Sequence, residues 1–257
     1  MGHFRSQETV DSALRMSDNG VSDRANAEIH GVAIKTIKRW RRLYQELGLP
    51  RGTGFPPTPC PRCDGAELDE KAYALLLGWY LGDGCIAKAR RGVFTLQIVN
   101  DVRYVELNRE IAETMIRVKP TAGPVPRQGI GCVRTEVRWK HWPCLFPQHG
   151  AGRKHLRKIE LVEWQLEIVA KYPEQLVRGL FHSDGCRFEN WVSKPGSEKR
   201  YFYSRYIFSN KSDDIRNILT QALDLLGIPW RSPRWDHIAV SRREGVERLD
   251  TFVGPKS

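Results

Sequence analysis

At 257 residues the chain can bury a full core and hold one large domain with a small one beside it. Lysine and arginine number 41 against 30 aspartate and glutamate, a formal charge of +11, which favours a polyanionic partner. No run of eighteen apolar residues and no charged-then-apolar leader occurs, so no membrane partner or secretory route is expected and the protein is expected in the cytoplasm. The six cysteines, Cys60, Cys63, Cys85, Cys132, Cys144 and Cys186, are then expected as reduced thiols or metal ligands and not as a disulfide framework.

The first fifty residues are expected to form three short helices. Glu8 to Met16 has helical spacing, Gly20 breaks it, Ser22 can cap a second helix through Ile29, His30-Gly31 turns, and Ile34 to Leu47 supports a third. This tight arrangement resembles a helix-turn-helix, whose last helix sets cations on phosphates and side chains on base edges. Lys35, Lys38, Arg39 and Arg42 are its candidate DNA contacts, with Trp40 beside them, while Ile37, Leu43 and Leu47 are expected to face inward. The other reading is a small bundle whose basic face is merely solvated or binds protein. Six basic residues against one acidic between Ile34 and Arg51 favour DNA.

Gly48 ends that helix, and residues 51–66 read as a Pro- and Gly-rich linker carrying Cys60-Pro61-Arg62-Cys63. One C-x-x-C is half of a tetrahedral zinc site, and Cys144 with His149, from a loop rich in Pro and Gly, is the most suggestive complement. Free thiols beside a linker are the alternative.

From Ala72 to Leu81 nearly every residue is apolar, the pattern of a helix buried on several sides. The stretch Leu75 to Gly84 returns at Leu176 to Gly185, 101 residues later. Gly78 and Gly82, and again Gly179 and Ser183, lie four apart, giving each helix a stripe of small residues along which another backbone can approach. Two such helices are expected to meet and bring Asp83 and Asp184 together at one end, where paired carboxylates invite a divalent cation. The segments downstream of each motif also repeat: a strand through Asn100 and a helix from Arg103 to Ile116, then a strand through Asn210 and a helix from Asp213 to Leu226. Between the motifs, residues 131–140 alternate as a strand with Arg134, Arg138 and Lys140 on one face, in a region, Arg127 to Lys158, holding eight basic residues and one acidic. A helix from Leu161 to Ala170 connects the halves. Asn190 to Arg200 reads as a polar loop or hairpin connection, residues 237–243 as the counterpart strand, and Val246 to Phe252 as a closing helix. Two buried structural helices with incidental Asp caps are the bland alternative.

Gly-x-x-x-(Gly or Ser)-Asp-Gly inside an apolar helix, twice about a hundred residues apart, resembles the paired LAGLIDADG motifs of single-chain homing endonucleases. The resemblance implies an α+β fold: a pseudo-twofold pair of αββαββα repeats, residues 67–170 and 171–257, behind the helix-turn-helix of residues 1–50 and the linker. It implies a monomeric, site-specific, Mg²⁺-dependent endonuclease acting on double-stranded DNA, with Asp83 and Asp184 as metal ligands. By their position in the family pattern, Asn100 and Asn210 would organise metal and water, and Lys140 with Arg242 or Arg243 would support transition-state charge. Capping of the next helix and ordinary phosphate contact are the other readings of those residues. The family's sheets saddle DNA, which makes Thr95, Gln97, Arg134, Arg138, Tyr203 and Arg205 candidate contacts, though a one-residue register slip would reverse them. Leu81 and His182 stand where the motif's first Asp would be, and Arg178 replaces a small residue. A non-cleaving transcriptional regulator on the same scaffold is the competing function, and an RNA-maturation protein a third; retention of both acidic residues favours the nuclease.

Overall fold

The computed structural model describes residues 5–47, 58–193, 196 and 200–256. They fall into two compact units, Met1–Pro57 and Thr58–Ser257. The linker expected at residues 51–66 lies in part, at residues 51–57, outside the described residues, as do Gly48 and the side chain of Leu47.

The smaller unit holds α1 (Gln7–Asp18), α2 (Asp23–Ile29) and α3 (Ile34–Leu47). The Ser6 and Ser22 hydroxyls accept from the Thr9 and Ala25 amides, satisfying N–H groups that each helix start leaves open. Gly31 has φ +58°, a left-handed turn that lets α3 double back. Val10, Ala13, Leu14, Ala27, Ile37 and Trp40 form the core. Trp40 therefore belongs to the interior and not to the basic face.

The larger unit is built twice over. Its first half runs α4 (Glu70–Leu81), β1 (Gly84–Lys88), β2 (Phe94–Asp101), α5 (Val105–Val118), β3 (Val125–Gln128), β4 (Cys132–Trp139) and the one-turn α6 (Trp142–Leu145). A connecting helix, α7 (Glu163–Lys171), leads to the second half: α8 (Pro173–Asp184), β5 (Gly185–Ser193), β6 (Arg200–Ser209), α9 (Asp213–Leu225), β7 (Arg231–Arg234), β8 (His237–Val240) and α10 (Arg243–Asp250). Each half makes a four-stranded antiparallel sheet, ordered β1-β2-β4-β3 and β5-β6-β8-β7. The α+β pair of αββαββα repeats is thus present. The strands β1, β3, β5 and β7 are those the repeat pattern implies without a run of their own having been singled out, and the segment from Asn190 is a hairpin connection whose first arm, β5, reaches as far as Ser193 opposite Arg200.

The two motif helices form the centre. Every residue of α4 from Ala72 to Leu81 is buried. A Cβ on Gly179 would stand 2.5 Å from the Leu75 carbonyl oxygen and 2.8 Å from the Trp79 nitrogen, so the backbones of α4 and α8 touch where only glycine fits. Arg178, the departure from a small residue, lies beside this contact: it pairs with Glu110 at 2.8 Å and donates to the Phe252 and Val253 carbonyls, tying α8 to α5 and to the chain after α10. Leu96, Ile98 and Val137 of the first sheet, with Tyr206, Phe208, Ile238 and Val240 of the second, complete one continuous core. Among the described residues, no helix is long and apolar enough to cross a membrane.

Candidate active site

Asp83 and Asp184 stand at the junction of each motif helix with its sheet, immediately before Gly84 and Gly185, which open β1 and β5. Close approach of the helices brings the carboxylates into one electrostatic site. A Cβ on Gly82 would meet the Ser183 side chain and lie 3.3 Å from Asp184 Oδ2, so the stripe of small residues is what admits the second acid. Burial and then the charge of Asp184 push the Asp83 carboxyl up to about 6. Burial likewise raises Asp184, and a hydrogen bond from Asn210 partly offsets it. Two desolvated carboxylates with oxygen-only ligand atoms fit a hard divalent cation of the Mg²⁺ class, whose charge would offset their mutual repulsion.

The two asparagines occupy equivalent positions. Gly84 faces Ile98 and Gly185 faces Phe208 across the first strand pair of each sheet, and Asn100 and Asn210 each lie two residues beyond that partner, on the core side. Asn210 Nδ2 donates to Asp184 Oδ2 at 2.6 Å. Its Oδ1 also accepts from the Ser212 amide at 2.8 Å, so this residue serves the carboxylate and the start of α9 together. Asn100 is buried and its Nδ2 finds no hydrogen-bond partner among the described residues.

The cations at the carboxylates are Lys154 and Lys256. Lys154 Nζ donates to the carbonyls of Tyr80, Leu81 and Gly82, at 2.6, 2.8 and 2.5 Å, which α4 leaves open at its C-terminal end. Lys256 Nζ donates to the Ser183 carbonyl at 3.0 Å, near the end of α8. Burial lowers both lysines, Lys154 to about 8, against the opposing pull of Asp184 and Asp83. Lys140 and Arg242, assigned to this role from sequence, are exposed and lie away from the end of each sheet that carries the carboxylate. The reason is strand direction. Because β4 runs antiparallel to β2, Val133 lies opposite Asn100, and Lys140, just past Trp139, is at the far end of the sheet. In the second sheet His237 lies opposite Ser209, and the chain has moved away from Asn210 by the time it reaches Arg242. The signal for the two lysines that do lie near the carboxylates is spacing: Lys154 and Lys256 follow Asp83 and Asp184 by 71 and 72 residues.

The outward faces of the sheets carry the other candidates. Gln97, Arg134 and Arg138 share one face with Glu136, which Arg127 and Arg134 pair with at 2.8 and 2.9 Å and to which Gln97 Nε2 donates at 3.4 Å. Thr95 lies on that face but is covered. Tyr203 and Arg205 are on the outward face of the second sheet, Arg205 stacked 4.6 Å from the Phe188 ring centre. The sequence reading missed the exposed aromatic end of the β5–β6 hairpin, where Trp191, Tyr201 and Phe202 are accessible. The aromatic run Tyr201-Phe202-Tyr203, with Trp191-Val192 before the polar connection, is the available signal. In the smaller unit Lys35, Lys38, Arg39 and Arg42 are exposed on α3, opposite buried Ile37, Trp40 and Leu43.

Cys60, Cys63 and Cys144 come together as expected, but the fourth member is His141. The ligand atoms of these four residues all lie within 4.8 Å of one another. His149 instead presents an edge-on contact to Phe94, with ring centres 5.6 Å apart. Cys144 follows His141, the N-cap of α6, by three positions, about one helical turn, whereas His149, five positions further on, lies beyond that helix.

No family model matches this chain, and no curated protein matches it. Among solved structures it is similar to mesophilic variants of the homing endonuclease I-DmoI, at 15% identity over 72% of this chain and 96% of that one, with TM-score 0.47. It is also similar to the LAGLIDADG meganuclease I-AabMI bound to uncleaved DNA, at 14% identity, 70% and 82% coverage and TM-score 0.45. A third is the LAGLIDADG homing endonuclease I-SmaMI bound to cleaved DNA, at 9% identity, 71% and 83% coverage and TM-score 0.45.

Proposed function

We propose that this protein is a site-specific double-strand DNA endonuclease that uses Mg²⁺ held by Asp83 and Asp184. The observation that carries the reading is the convergence of two half-buried carboxylates at abutting helix ends, with Asp83 held up at about 6 by burial and by its neighbour. Such a pair is costly to maintain for packing alone. When bound, a hard divalent cation supplies Lewis-acid activation of water and neutralises charge at the leaving oxygen.

The chain's own groups then divide the work. Asp83 and Asp184 supply the ligand oxygens. Asn210 fixes the rotamer of Asp184, and Asn100 carries the matching amide in the first half. Lys154 and Lys256 hold the helix ends in place and set positive charge beside the position a scissile phosphate would take. Arg127, Arg134, Arg138 and Arg205, with Gln97, would meet the DNA across the outward sheet faces, while Lys35, Lys38, Arg39 and Arg42 would add phosphate contacts from a helix-turn-helix. One chain contains both halves of the site, so a monomer suffices, and DNA association would place it at the nucleoid.

In vitro selection on a genomic or randomised DNA library tests this, with and without Mg²⁺, comparing the parental protein with the Asp83→Asn, Asp184→Asn double variant. Discrete breaks at an enriched sequence that need Mg²⁺ and the carboxylates are the expected result. An enriched sequence bound but left intact by every form would make the protein a DNA-binding regulator on a nuclease scaffold.

A further inference from the structure

The two repeats close differently. After β8 the second half has α10, eight residues long, whereas after β4 the first half has only α6, four residues. One turn cannot hold itself in place, because it makes too few hydrogen bonds to offset the ordering of its backbone. Yet Trp142 and Leu145 of α6 are fully buried, so this turn is firmly seated. What lies beside it is the sulfur cluster. Cys63 Sγ is 3.4 Å from Cys144 Sγ, and Cys144 Sγ is 3.6 Å from His141 Nδ1. With Cys60, all four ligand atoms fall within 4.8 Å.

These separations have the scale of a coordination polyhedron. A tetrahedron with metal–sulfur bonds of about 2.3 Å has edges of roughly 3.8 Å. A Cys63–Cys144 disulfide would need its sulfurs at about 2.05 Å and would leave the placement of Cys60 and His141 unaccounted for. The C-x-x-C segment is shaped as a tight turn: the Asp64 carboxylate accepts from the Cys60 amide at 2.7 Å, and the Asp64 amide donates to the Cys60 carbonyl at 2.8 Å. Arg62 stacks 4.5 Å from the centre of the Trp164 ring, and Cys60 is wholly buried. Three thiols and an imidazole form a soft donor set that selects zinc over the hard cation of the carboxylate site.

We infer that Cys60, Cys63, His141 and Cys144 bind a structural zinc ion, which fastens the segment entering the larger unit to α6 and so substitutes in the first repeat for the second turn that α10 has. All four positions come from protein, as in a closed, non-catalytic site. The ion would also anchor one end of the loop that carries Lys154. Its chemistry does not depend on DNA cleavage, so the two assignments stand or fall separately.

The test is metal analysis of the full chain purified under reducing conditions without chelator, then refilled with Zn²⁺ or Co²⁺ alone. One zinc per chain is expected, with Co²⁺ giving the visible absorption of a tetrahedral thiolate-rich site. Cys63→Ser and His141→Ala should each weaken zinc binding at least about 10-fold, and His149→Ala should keep the full complement. Should a variant fail to fold, stepwise mercurial titration of the parental thiols, read by zinc release, gives the same answer. Substoichiometric zinc after refilling, an octahedral cobalt spectrum, a Cys63–Cys144 disulfide by mass spectrometry, or loss of metal from His149→Ala and not from His141→Ala would each overturn the assignment.

Discussion

The two halves of the carboxylate site share positions but not partnerships. Asp184 is bonded by Asn210, whereas the equivalent Asn100 leaves its Nδ2 unsatisfied. Lys154 reaches three carbonyls at the end of α4, whereas Lys256 reaches one near the end of α8. The second half thus fixes its carboxylate and the first half fixes its helix end, while Asn100 keeps a buried amide without a partner among the described residues. A repeated backbone pattern places equivalent atoms; which of them bond is decided by local side chains and loops.

The largest expected effect breaks the comparison at its axis. Gly179→Val would drive a side chain into the Leu75 carbonyl and the Trp79 nitrogen, backbone that cannot yield, and should destabilise the protein by about 3 kcal/mol or more in chemical denaturation. Gly20→Ala, in a left-handed turn of the smaller unit with open space around it, should cost about 1 kcal/mol.

Between the halves, Asn210→Ala should lower cleavage on the order of 10- to 100-fold, because Asp184 loses the bond that orients it. Asn100→Ala should lower it less, since no bond is broken in the free protein. Equal effects in single-turnover assays would mean that Asn100 engages fully once DNA is bound.

Asp83 offers a stability test with a definite sign. Its folded value, about 6, lies above the usual carboxylate range, so between pH 4 and 6 the native state holds a proton that the unfolded state has released. The metal-free protein should therefore lose stability as pH rises through that window. Asp83→Asn should remove the loss and stabilise the metal-free protein at pH 7 by about 1–3 kcal/mol, as urea denaturation would read. A destabilised variant would contradict the electrostatic account of the pair.

His182 gives the smallest effect and the opposite slope. It is buried and stacked on Trp79, and although the Val253 backbone lies close enough to favour its charged form slightly, neither ring nitrogen completes a hydrogen bond; burial, Arg178 and Lys256 lower it to about 3. The unfolded state takes up a proton below pH 6.5 that the native state refuses, so stability falls as pH drops towards 3. His182→Leu should flatten that fall, by on the order of 1 kcal/mol at pH 5.5.

Much of this was legible in the sequence because it rests on backbone. The apolar run from Ala72 to Leu81, the Gly78–Gly179 stripe and the recurrence after 101 residues fix which helices meet, and the acids follow from them. Lys140 and Arg242, assigned by their position in the family pattern, lie away from the carboxylates because that pattern does not say which end of an antiparallel strand approaches the site. Lys154 opens a short 3-10 turn in the loop between α6 and α7, and Lys256 follows α10 outside helix and strand; the paths of both segments depend on tertiary contacts, as with the buried bonds of Gln165 to Tyr73 and Gln148 that organise the loop after α6. His149 was favoured over His141 for the same reason: loop direction is not periodic. The outward faces of the strands, by contrast, followed from alternation once the register was known.

The most direct test of the central claim is strand-resolved cleavage of a selected DNA site by the parental protein, Asp83→Asn and Asp184→Asn in Mg²⁺. Sharing of one site by both carboxylates predicts that either substitution lowers cleavage by at least about 100-fold while DNA binding persists. Parental rates from either single variant would contradict it.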